Sequence, residues 1–272
     1  MTMERRCRYV PLSKQPLVLV LGQVRFSPVR EIGTSKFLPP IQEAFRQSGF
    51  PIERSGKVRQ LRVSPTGVEV LEADRWEYRS KDEKWSITLL QDSVALQTTA
   101  YSRFEEFAER LATAVGTVLS KTGQDELGIV ERVGLRYVDL VQPGAGESYR
   151  DYLKPGLHGV SDDVFSADSH RLHLESVGRT RVGDGDGTMI VRITQNDAGF
   201  DLPPDLVDGA PQHISRAKET ELATLIDLDH FVEGNLPSRP EWVVSTAYLL
   251  HDHLIETFHK HVVTPHAIEV WQ

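Results

Sequence analysis

Two hydrophobic periods alternate along the chain. After Pro16, the run Leu17-Val18-Leu19-Val20-Leu21-Gly22-Gln23-Val24-Arg25-Phe26 is mostly apolar and rich in β-branched residues, which predicts a buried strand stopped by Pro28. Ile41, Ala44 and Phe45 make one apolar stripe and predict a short helix from Pro40 to Gln47, closed by Gly49. From Val58 to Thr99 the period drops to two. Arg59–Val63, Trp76–Ser80, Trp85–Leu89 and Val94–Gln97 read as strands of an antiparallel meander, with turns at Lys81-Asp82-Glu83 and Gln91-Asp92. Trp76, Tyr78, Trp85, Ile87, Leu89, Val94 and Leu96 are its buried face.

Helical spacing returns at Phe104, Phe107, Ala108, Leu111, Ala114, Val115 and Val118. Ser102 and Glu105 have the spacing of a capping box, so a helix is predicted from there to about Lys121, with Gly123 just beyond. Its stripe should cover the meander, and Phe107 should share one core with Trp76, Trp85, Phe104 and Leu111.

The strand Glu131–Val141 follows. Alternate residues of a strand point to opposite faces. Val133, Leu135, Tyr137 and Val141 therefore share an apolar face, while Arg132, Gly134 and Arg136 share the other.

The second half repeats this plan in shorter form. A helical turn at Tyr149–Leu153 precedes a hairpin, His170–Val182 with Thr188–Gln195, around the tip Gly183-Asp184-Gly185-Asp186-Gly187. Gly199–Pro211 reads as a surface loop. In the strand Thr224–Asp229, Asp227 and Asp229 share a face. Ser238 and Glu241 form a second capping-box pattern, opening a helix to about Phe258, and Ala267–Trp271 reads as a last strand. The fold class predicted is α+β: two ferredoxin-like halves, antiparallel sheets with helices packed on one face. Residues 1–145 would form a first half with a basic N-terminal region, and residues 146–272 a second, acidic half. The two are joined near Pro143-Gly144-Ala145-Gly146, and sharing one sheet would make them one continuous domain.

Composition changes this picture little. The chain has 272 residues, 39% hydrophobic and 26% charged, as in ordinary globular proteins. Its single cysteine, Cys7, cannot form an internal bridge, which favours a reducing compartment. No apolar run approaches the roughly 20 residues that a bilayer requires, and no signal-peptide pattern is present, so a cytoplasmic protein without membrane contact is expected.

Charge is more informative. Residues 1–62 carry twelve Lys and Arg against four acids, a net +8. With −8 overall, the other 210 residues carry −16. A basic end on an acidic body can attract an anionic partner, but it can also dock on its own acidic half or a second copy. The overall acidity disfavours a nucleic-acid phosphate backbone.

Most chemical motifs fail on spacing. A calcium loop starting at Asp184 would need glutamate at its twelfth position, where Gln195 stands. Neither nucleotide-binding glycine motif occurs, nor a nucleophile elbow. All ten histidines fall between His158 and His266. His251 and His253, like His259 and His261, are two residues apart and diverge on a helix, so no metal site and no cofactor are expected. What remains is Arg132 and Arg136 against Asp227 and Asp229. If the two strands are neighbours, they should pair as a structural network linking the halves or as a polar ligand-binding centre.

The order of features resembles a sporadically distributed bacterial family of roughly this length whose members have no established function. The resemblance rests on Pro16-Leu17-Val18 with Val24-Arg25-Phe26, Trp76–Ser80, Tyr101–Phe107 and Arg132-Val133-Gly134-Leu135-Arg136-Tyr137. It continues through Leu225-Ile226-Asp227-Leu228-Asp229, His253–Phe258 and Val263-Thr264-Pro265. It brings no catalytic residues, and implies only loosely a setting in phage defence or toxin–antitoxin systems. The function expected is that of a non-enzymatic binding or partner protein, with a protein partner or self-association. The alternative is an RNA-binding or RNA-processing protein with tandem ferredoxin-like halves.

Overall fold

A computed structural model describes Tyr9 and residues 12–64, 67–164, 173–182, 187–196, 202–207 and 223–272. Nine strands form one continuous antiparallel sheet. They are β1 (Leu17–Phe26), β2 (Ile52–Ser64), β3 (Gly67–Arg79), β4 (Trp85–Leu89), β5 (Ser93–Thr98), β6 (Val130–Val141), β7 (Glu175–Val182), β8 (Gly187–Asn196) and β9 (Ala223–Leu236). Their order across the sheet is β2-β3-β4-β5-β1-β6-β9-β8-β7. β5 pairs with β1 and β9 with β6, so each meander closes on the strand that opens it. The opening strands β1 and β6 pair with each other at the middle of the sheet, from Leu17↔Asp139 to Phe26↔Val130. The chain is thus α+β, with fewer helices than strands in the sheet and no helix among the described residues long and apolar enough to cross a membrane.

The helices follow the predicted stripes. In α1 (Leu38–Gln47), prolines occupy the first turn and Ile41 and Phe45 are buried. In α2 (Phe104–Thr122), Phe104, Phe107, Ala108, Leu111, Ala114, Val115, Val118 and Leu119 are buried, and the helix ends on left-handed Gly123. The short α3 (Gln124–Leu127) and α4 (Tyr149–Tyr152) flank β6, and α5 (Pro204–Val207) lies within the expected surface loop. The last two helices are α6 (Pro240–Thr257) and α7 (Pro265–Trp271). One hydrophobic core joins α1, α2, α6 and α7 to the sheet face carrying Val20, Val24, Tyr78, Ile87, Leu135 and Leu228. A Cβ at Gly22 would sit 3.0 Å from the Phe107 ring and 3.1 Å from Leu111, so the missing side chain lets α2 rest directly on β1.

Several local expectations are corrected. Ala267–Trp271 is helical: the Thr264 side chain accepts a hydrogen bond from the Ala267 N–H, and Pro265 suits the first turn. Ala267 and Trp271, four apart, both point into the core. Neither predicted capping box forms. Ser102 bonds to Glu106 and Ser238 to the Asp125 carbonyl, while Arg103 and Arg239 take the N-cap positions without side-chain bonds. The box that does form is Ser148 with Asp151, at the start of α4. The hairpin strand begins at Glu175; its expected start at His170 and the tip 183–186 lie outside the described residues.

Candidate functional site

The two faces of β6 carry different chemistry. On the face away from α1, α2, α6 and α7, Arg136 donates from Nε and Nη2 to the two oxygens of Asp227, at 2.7 and 2.8 Å. Its remaining donors reach Asp205 on α5. Asp227 also accepts from Arg192 of β8 at 2.9 Å. Arg136 is 7% and Asp227 3% exposed, so both charges are held by partners inside the protein. Burial works against the Arg136 charge, but the bonds to Asp227 and Asp205 hold its pKa above the ordinary value.

Arg132 makes the second pair, donating to Asp229 at 3.1 and 3.2 Å and to Gln23 on β1 at 3.0 Å. Its guanidinium lies over the Phe231 ring, 4.3 Å from the centroid. A Cβ on Gly134 would come within 2.6 Å of that guanidinium. The space left by Gly134 is therefore filled by Arg132 itself. Burial raises the Asp229 carboxyl, with Arg132 opposing the shift. All four residues singled out in the sequence, Arg132, Arg136, Asp227 and Asp229, thus meet in one network. It crosses from β1 through β6 and β9 to β8, with charge answered by charge throughout. Beside it, Leu202 and Leu206 pack on Leu19, Val138, Leu140 and Leu225, so Asp205 fastens α5 over this face. A second buried pair, Glu77 with Arg79, escaped the sequence reading because both stand in a strand identified only by its aromatic face.

The helix-covered face holds the other candidate. Asp139 stands on the apolar side of β6, between Leu17 of β1 and Ile226 of β9 in the ladder, and is 4% exposed. It has no hydrogen-bond or ion-pair partner among the described residues. Burial, with a smaller contribution from the Asp227 charge, pushes its carboxyl up to about 8. It lines a cavity of about 180 Å³ between the start of α2, the end of α6 and the residues leading into β1. Nearby, the Tyr137 hydroxyl and His251 Nδ1 are hydrogen-bonded at 2.7 Å. The His251 ring stacks on Phe104 with centroids 4.0 Å apart, and burial pushes His251 down to about 4. The wall is completed by Tyr101 and Phe258, and at the rim by His259, on which Tyr9 stacks at 4.4 Å.

The sequence reading missed this pocket. Its signal was an acid at a period-two position, Asp139 between Tyr137 and Val141 on an otherwise apolar face. Among the described residues, no group of three or more His, Cys, Asp or Glu stands together to hold a metal. No protein-family model matches the chain, and no curated protein matches it.

Proposed function

We propose that this is a non-enzymatic binding protein whose ligand enters the cavity over Tyr137 and Asp139. The observation that carries this reading is Asp139: a carboxyl buried without a partner is costly, and a site that retains one beside a cavity is suited to a ligand that completes it. The Arg132/Arg136 network has the opposite character. Each of its charges is already answered, which suits a clasp between the two halves, read here as related ferredoxin-like units. Binding without turnover is supported by His251, whose Nδ1 is occupied by Tyr137 and whose imidazole is held neutral, leaving it poorly placed as a general base.

Ligand-observed NMR tests the reading with a fragment set of acids, alcohols and amines built on one aromatic ring. Fragments should bind the wild-type chain, perturb the Tyr137 and His251 ring signals, and be displaced in Ile255→Trp, which fills the cavity from α6. If no fragment of any class perturbs those rings in the wild type, the reading fails.

A further inference from the structure

The chemistry around Asp139 selects among ligands. We infer that the cavity takes a small organic cation, an amine or amidine on an aromatic or compact apolar body, with Asp139 as its counter-ion. This rests on the cavity being the binding site.

Three observations carry the inference. First, among the described residues no cation satisfies Asp139. Arg103 at the start of α2 lines the cavity but is exposed and makes no bond to it, and Glu105 beside it is also exposed. On the α6 side, His251 is neutral and engaged with Tyr137, and burial lowers His259 as well. From the far face of the sheet the nearest charge is Asp227, which repels a second anion.

Second, the wall is aromatic. Tyr101, Phe104, Tyr137 and Phe258 line the same cavity as the carboxyl. Ring faces attract a cation and accept an apolar body equally well. Third, the size is restrictive. About 180 Å³ is close to the roughly 150 Å³ cavity that accommodates benzene in a well-studied engineered protein. A single ring carrying one amino or amidino group fills such a space, whereas a nucleotide does not.

The protonation balance is explicit. In the empty protein Asp139 is held mainly as the neutral acid at pH 7. An incoming ammonium stays protonated, and the Asp139 proton leaves to solvent as the ion pair forms. Binding therefore releases one proton, and the apparent affinity should rise about tenfold from pH 6 to pH 7, levelling near pH 8.

The experiment is calorimetric titration of the full chain with benzylamine, benzamidine, benzyl alcohol and benzoate at pH 6, 7 and 8. The amines should bind with the tenfold rise from pH 6 to pH 7 and a smaller one to pH 8, and Asp139→Asn, checked for an intact melting transition, should lose at least tenfold of amine affinity together with the pH dependence. Benzyl alcohol should be indifferent to both changes. If the alcohol or benzoate binds at the Tyr137 and His251 rings while the amines do not, the cavity stands and the cation assignment is overturned. Amine binding that is flat between pH 6 and 8 overturns it in wild type, without recourse to the variant. If none of the four binds, the cavity reading and this inference fall together.

Discussion

Arg136 holds Asp227 through two nearly equal hydrogen bonds, yet the two residues are not opposite one another in the β6–β9 ladder. Arg136 stands across from Asp229, and Asp227 across from Val138. The guanidinium reaches diagonally, which leaves Asp229 for Arg132 and lets one row of arginines serve one row of aspartates.

The diagonal makes the network testable. Asp227 carries two guanidiniums, Arg136 and Arg192, so Asp227→Ala should cost roughly 3–5 kcal/mol by leaving buried Arg136 with Asp205 alone. Arg136→Ala should cost somewhat less, because Arg192 still answers Asp227. In urea denaturation, the double variant should cost clearly less than the sum of the singles. Strict additivity would show that the pair contributes no coupling.

Phe107 is fully buried where α2 crosses β1, beside Trp85, Tyr101 and Phe104. Phe107→Ala should cost roughly 3–5 kcal/mol, since the bare backbone of Gly22 offers no side chain to refill the cavity. An unchanged melting temperature would contradict this packing.

Stability should peak near pH 6.5. His230 and His251 are pushed down to about 4 by burial, so between 4 and 6.5 the unfolded chain binds more protons and stability falls as the pH drops. Asp139 has the opposite sign. Its folded pKa of about 8 lies above its unfolded value, so the folded chain binds the extra proton and stability falls as the pH rises towards 8. Above 6.5 the contribution of the two histidines fades over about one unit, and a decline of under about 1 kcal/mol per unit should remain. Asp139→Asn should abolish that decline. A wild-type profile flat between pH 6.5 and 8 would mean that Asp139 is ionised in the folded chain.

Nucleic acid should not bind at physiological salt, because the −16 carried by the rest of the chain outweighs the +8 of residues 1–62. Fluorescence anisotropy with single- and double-stranded RNA and DNA checks this. Tight binding with a steep log–log salt slope would refute it.

The sequence by itself determined the elements whose causes are local. Alternation at Trp76–Tyr78 and Trp85–Leu89, and the stripe from Phe104 to Val118, each depend on a few neighbouring residues facing one core. Those strands and that helix are where the periods put them. It also determined which residues share a face of β6, since period two needs no knowledge of the partner strand. The last segment was ambiguous because Ala267-Ile268-Glu269-Val270-Trp271 is too short for either period to dominate, and Thr264 with Pro265 tipped it to helix. Ser102 and Ser238 had the right capping spacing, but other groups claimed their hydroxyls.

Only the tertiary structure decided the sites. Arg136 and Asp227 are separated by 91 residues, and their diagonal pairing follows from the β6–β9 register, which packing of the whole sheet sets. Asp139 differs in kind: its distinguishing property is that no partner among the described residues reaches it. Whether a carboxyl is left unanswered depends on every chain segment that could have approached, and that is settled only when α2, α6 and β1 close around it.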